Sequence, residues 1–255
     1  MLPLQTAATL SAALALGYLI VAAASLTLLW YLRTFASRLL AEPYRDRWRY
    51  LAVGVGAAGV YGVAGLLELS VTAAAEPFRR GATLFFFLFC AVGVRAVHRS
   101  VAGGAAPDDR ERLLAPALVV ALVVAWWGTY LFAAPTVVAA VEVAGLFAAT
   151  FFTIYHAVGT VGAAEGTSVA AVTRQFLPAL LALAAVAAAE HVELVAPGAA
   201  AAGRGAALVG TVLAGAFLFS TAVAIRQQGG EIERLYDQTT WRRDPEAVAD
   251  RDLDD

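Results

Sequence analysis

Five ionisable residues interrupt apolar runs near one common end of the chain's long hydrophobic segments: Glu68, Glu142, Glu190, His191 and Glu193. A charge at membrane depth is costly and marks a candidate functional site. Glu190 and Glu193 stand at i and i+3, so a helix puts both on one face. With Glu68, Glu142 and His191 they could surround a small polar pocket. Carboxylates sharing a desolvated site tend to hold protons, which suits proton relay. Carboxylates with one imidazole could also hold a divalent cation. The plainer alternative is a set of interfacial residues reaching water, with Arg79, Arg80 or Arg204 as partners. Two further histidines, His98 and His156, fall near the opposite end. His156 lies 14 residues after Glu142, about four helical turns. Glu142, Gly145, Ala149, Thr153 and His156 therefore form one small, polar stripe. Two histidines at equal depth could ligate a haem, but interfacial histidines are far commoner. Haem and divalent metal are accordingly not expected here.

Composition decides what can position such residues. The chain has 255 residues, 60% of them hydrophobic and 15% charged, with mean hydropathy +0.71. A soluble domain has about a quarter charged residues. Disordered chains, nucleic-acid binders and ordinary cytosolic enzymes are excluded, and a polytopic membrane protein is expected, multi-pass in the cell membrane with the lipid bilayer as its main partner. A single cysteine, Cys90, leaves no disulfide framework. All 18 basic residues are arginine, which removes every lysine-dependent chemistry. No nucleotide or haem-attachment motif is present. Enzymatic activity is not the leading expectation.

A crossing helix needs about 20 apolar residues. Seven such runs are expected, roughly Thr9–Tyr31, Tyr50–Ala73, Gly81–Val101, Leu113–Ala133, Thr136–Ala157, Val172–Val195 and Ala206–Ile225. The fold class is all-α, a seven-transmembrane-helix bundle forming one domain over residues 1–228. The first run lacks a basic n-region and ends in Trp30 and Tyr31, so it reads as a span and not a signal peptide. Pro3, Pro43, Pro77, Pro107, Pro116, Pro135, Pro178 and Pro197 are placed at or near run ends. Fifteen arginines fall on one side of this arrangement, and only Arg79, Arg80 and Arg204 on the other. The positive-inside rule then puts the N-terminus outside and the C-terminus inside. The five ionisable residues occupy the outer ends.

Residues 229–255 read as an acidic, partly disordered cytoplasmic tail. Gly229-Gly230 is expected to break the last span, followed by a short helix over Glu231–Trp241. Such a tail is solubilising or docks a cytoplasmic or membrane protein partner.

Within the spans, Gly59, Gly62 and Gly65 recur every third residue, which suits close approach of a neighbouring helix. Aromatics crowd the third and fourth spans, including Phe85, Phe86, Phe87, Trp126, Trp127 and Tyr130. A packed core explains them better than a lipophilic-ligand pocket.

Tyr61 in the middle of span two, Arg80 opening span three, Pro178 in span six and Arg226 closing span seven give a layout that resembles microbial rhodopsins. The resemblance covers the whole membrane region. It implies a seven-helix bundle around an internal site, and the family's photochemistry needs a lysine in the last helix. Phe217 falls near that position, and no carboxylate lies between Gly81 and Val94 to act as counter-ion. Covalent retinal and light-driven pumping are therefore rejected, leaving a non-photoactive relative. Carriers with Pro-Gln pairs and seven-span zinc hydrolases with several histidines fit less well. The resulting expectation is a non-enzymatic sensory or regulatory membrane protein. The alternative is a proton or small-ion carrier or channel using the outer carboxylates.

Overall fold

The computed structural model describes residues 2–36, 48–103, 109–192, 196 and 198–242. Every regular element among them is helical. The main helices are α1 (Leu2–Tyr31), α2 (Trp48–Ser70), α3 (Glu76–Val101), α4 (Asp109–Phe132), α5 (Pro135–Ala163), α6 (Ser168–Glu190) and α7 (Ala200–Arg242). A π-helical turn, Leu32–Ala36, extends α1, and a 3₁₀ turn, Ala73–Ala75, leads into α3. Six helices are long and apolar enough to cross a membrane. In α4 the apolar stretch, Ala117–Phe132, is shorter.

Local chemistry explains several boundaries. Pro77 and Pro135 occupy the first turns of α3 and α5, where no intrahelical donor is lost. Thr167 caps α6, its side-chain oxygen accepting from Ala170 N at 3.3 Å. Two expectations need correction. Pro178 does not stand near a helix end, because α6 runs straight through it. Neighbouring helices can satisfy the backbone of such a turn in a membrane bundle, and Thr221 Oγ on α7 donates to Gln175 O at 3.0 Å. Nor does Gly229-Gly230 break the last helix: α7 continues for 43 residues to Arg242. A mid-helix glycine costs only about 1 kcal/mol, and no proline lies between Pro197 and Pro245. Residues 243–255 of the expected tail lie outside the described residues.

Packing partners follow from the small residues. Gly65 meets Tyr18, Gly62 meets Ala22 and Gly59 meets Ser25, so α1 and α2 run antiparallel. Gly54 packs on Cys90 and Gly93 on Leu51, which sets α2 antiparallel to α3. Gly145 faces Leu84 and Gly159 faces His98, which makes α3 and α5 parallel. Gly210 receives Val186 of α6, Gly203 receives Val192 just beyond it, and Gly215 receives Ile20 of α1. The contacts close a ring in the order α1, α2, α3, α5, α6, α7, with α4 outside against α3 and α5. Tyr61, Phe86, Phe87, Leu180, Leu183 and Leu218 fill its centre.

The aromatic crowd of α3 and α4 is such a core. Trp126 is fully buried, and its ring lies where a β-carbon of Gly81 would otherwise be. It packs edge-on to Phe85 at 5.5 Å and stacks on Tyr130 at 5.5 Å.

Candidate functional site

The helix ends that meet at one end of the ring bring carboxylates and arginines from several helices together. Glu68 is two residues from the end of α2, and Arg79 and Arg80 lie in the first turns of α3. Glu142 is the eighth residue of α5, and Glu190 ends α6. Consecutive residues on a helix point about 100° apart. Arg79 and Arg80 therefore serve different neighbours and organise two linked clusters.

Arg79 Nε donates to Glu68 Oε2 at 2.6 Å, and its Nη1 donates to Glu190 Oε1. The Tyr61 hydroxyl lies 3.4 Å from Glu190 Oε1 and 3.2 Å from Thr211 Oγ on α7. Thr211 spends its own proton on Ala207 O, at 2.7 Å, so Tyr61 has one proton for two acceptors. Tyr18 of α1 packs edge-on to Tyr61 at 5.4 Å.

Arg80 centres the second cluster. Its Nε and Nη2 donate to Glu142 Oε2, the former at 3.0 Å, and its Nη1 donates to Glu76 Oε1 at 3.2 Å. Trp126 Nε1 donates to Glu142 Oε1 at 3.2 Å. His191 Nε2 lies 3.1 Å from Glu142 Oε2, and its Nδ1 lies 2.8 Å from Ala187 O. Glu142 is only 1% exposed, and every oxygen it has is engaged. Such a carboxylate is tolerable only because it is paired and fully hydrogen-bonded.

Together the two clusters draw on all seven helices. Of the residues singled out in the sequence, Glu68, Glu142, Glu190 and His191 all join this network. Glu68 and Glu190 do so through Arg79, Glu142 through Arg80, and His191 through Glu142. Glu193 lies outside the described residues. Arg204, named as a partner, is exposed on α7. Three participants carried little sequence signal. Tyr18 and Thr211 are ordinary residues in an apolar span. Trp126 was one aromatic among several, although a buried indole N–H needs an acceptor.

The other end of the ring holds a smaller polar contact. His98 Nδ1 and His156 Nδ1 are 2.8 Å apart, and the His98 ring occupies the space that a β-carbon on Gly159 would take. With the two rings in direct contact, no haem fits between them. Nor do the described residues contain a group of three or more His, Cys, Asp or Glu side chains able to hold a metal ion.

The Glu142-to-His156 stripe is a helix seam. Thr153 Oγ reaches Ala149 O at 2.6 Å and Phe87 O at 3.3 Å, Gly145 abuts Leu84, and both Thr153 and Ala149 are buried. Between its polar ends the stripe is packed against the apolar face of α3.

Comparison with family models, curated proteins and solved structures finds no match.

Proposed function

We propose that the chain is a non-enzymatic sensory or regulatory protein of the cell membrane. In this reading it has seven spans, with the N-terminus outside, the C-terminus inside and no covalent retinal. It is a non-photoactive protein of rhodopsin-like layout. One observation carries the proposal: α7 is a single helix from Thr211, beside Tyr61 in the polar network, to Arg242. Those 31 residues span about 46 Å, more than the roughly 30 Å of a hydrocarbon core. An event in the outer network therefore has a rigid route to the inner side, where the projecting end of α7 can meet a partner. The seventh span is α4, which is apolar from Leu113 to Phe132 except for Thr129 and Tyr130. Orientation rests on the fifteen-to-three division of arginines.

The carrier reading has less support. It needs a continuous polar path, and the seam below Glu142 is filled by Leu84, Phe87 and Ala149.

Two experiments test the proposal. Single cysteines at Asp109 and Gly198 should label from opposite sides of sealed vesicles. Labelling of both from one side overturns the topology. Spin labels at Val158 and Gln227, both on exposed positions, report the inner ends of α5 and α7 in nanodiscs. Tyr61→Phe and Glu142→Gln should shift that distance distribution. Unchanged distributions in both variants overturn the sensory reading.

A further inference from the structure

The protons of the His191 ring can be counted from its neighbours. A carbonyl oxygen only accepts, so the 2.8 Å contact to Ala187 O puts a proton on Nδ1. On the other side, Glu142 already accepts from Arg80 and Trp126 and is an ionised carboxylate. Its Oε2, 3.1 Å from Nε2, therefore also requires a donor. Both nitrogens carry hydrogen, and His191 in this arrangement is an imidazolium.

We infer that the input of the outer network is a proton taken from the outer side by His191 Nε2, which latches the end of α6 to Glu142 of α5. This deepens the sensory reading and rests on it for the output.

The charges around the latch favour that proton. Arg79 and Arg80 of α3 face Glu68 of α2, Glu76 of α3, Glu142 of α5 and Glu190 of α6. Two guanidiniums thus stand against four carboxylates, and α4 contributes only the neutral Trp126 indole. A third positive charge on His191 reduces the imbalance. His191 follows the membrane-crossing stretch Ser168–Glu190. Its bond to Glu142 raises its pKa above the ordinary imidazole value, against the opposing effects of burial and Arg80. Because the folded-state value is raised, the latch contributes fully below about pH 6.5 and is lost as pH climbs through the folded value.

A neutral ring has one N–H for two acceptors, so it cannot hold Glu142 Oε2 and Ala187 O together. With the Nε2 proton gone, its lone pair faces an anionic oxygen and the ring turns away, taking with it the Nδ1 bond that closes the last turn of α6. Glu190, the preceding residue, holds both Arg79 and Tyr61. Release of the latch therefore reaches α7 through Tyr61 and Thr211. The proton that leaves Nε2 goes to outer water, and no other group changes its covalent state.

The test uses the full chain in nanodiscs, with spin labels at Val137 and Ala188 for the outer ends of α5 and α6. A second pair at Val158 and Gln227 reads the output. Cys90 is fully buried and is shielded from labelling. From about pH 5 to about pH 9 the outer pair should move between two distances with a midpoint above that of free histidine. His191→Gln keeps an amide donor toward Glu142 and cannot titrate, so it should stay at the acid-side distance throughout. His191→Ala should stay at the alkaline-side distance. A flat wild-type profile, or a transition that persists in His191→Gln, overturns the latch. An outer pair that titrates while the inner pair stays fixed upholds the latch and overturns the sensory output. An inner pair that still titrates in His191→Gln overturns the latch and leaves the output standing.

Discussion

Arg79→Met should cost about 3–5 kcal/mol of bundle stability, the usual effect of removing one partner from a buried ion pair. Its guanidinium lies between Glu68 and Glu190, with a side chain only 13% exposed. Without it Glu68 and Glu190 lose their shared counter-charge, and among the described residues only the Tyr61 hydroxyl still donates to Glu190. The loss is read as the unfolding free energy in mixed micelles. The double change Arg79→Met with Glu190→Gln should regain a large share, because it removes the orphaned charge together with its partner. A single variant within about 0.5 kcal/mol of wild type, the range of an ordinary surface change, would mean that water already screens this pair. The Arg79 cluster would then not be held together by a buried ion pair.

Gly62→Val should prevent α1 and α2 from closing. A β-carbon at Gly62 would sit 2.6 Å from Tyr18 O and 2.8 Å from Ala22 N. Both are backbone atoms in the middle of a helix, so neither can give way alone. Gly62→Ala should already cost about 1–3 kcal/mol, as overpacking does in well-filled cores, and the branched variant should leave little folded protein. Gly56 is the control on the same helix. Nothing lies within 4 Å of its would-be β-carbon, so Gly56→Ala should be neutral or stabilising by up to about 1 kcal/mol. Detergent-solubilised protein eluting as one monodisperse species for Gly62→Val would show that the two helices do not approach as described.

Much of this fold is legible in the residues. Twenty-residue apolar runs leave helices as the only backbone solution in lipid, and each expected run contains a helix. The ends are less legible. Helices grow past the apolar core wherever nothing stops them, so α1 starts at Leu2 and α7 ends at Arg242. Gly59, Gly62 and Gly65 are helix contacts, as their spacing suggests, whereas Gly229-Gly230 does not stop α7. A glycine weakens a helix in proportion to lost propensity, whereas a stop needs missing donors or a competing cap.

Span counting also placed Glu68, Glu142, Glu190 and His191 at one depth. Depth does not say which helices are neighbours. The ring sets α2 and α5 on opposite flanks of α3, so Glu68 and Glu142 cannot meet. The adjacency of Arg79 and Arg80 resolves this, because successive positions serve successive neighbours. That reading requires the ring order, which no local pattern encodes.

The packed seam between α3 and α5 has a consequence for energetics across the bilayer. From Arg80 to His98 it runs 18 residues, about 27 Å, through Leu84, Phe87 and the aliphatic face of α5. A transmembrane voltage falls mainly across such low-dielectric material, and a full crossing of 100 mV is worth about 2.3 kcal/mol per elementary charge. The proton proposed for His191 enters above the seam and traverses little of that drop. Under that proposal the latch follows external proton concentration and disregards the electrical part of the protonmotive force.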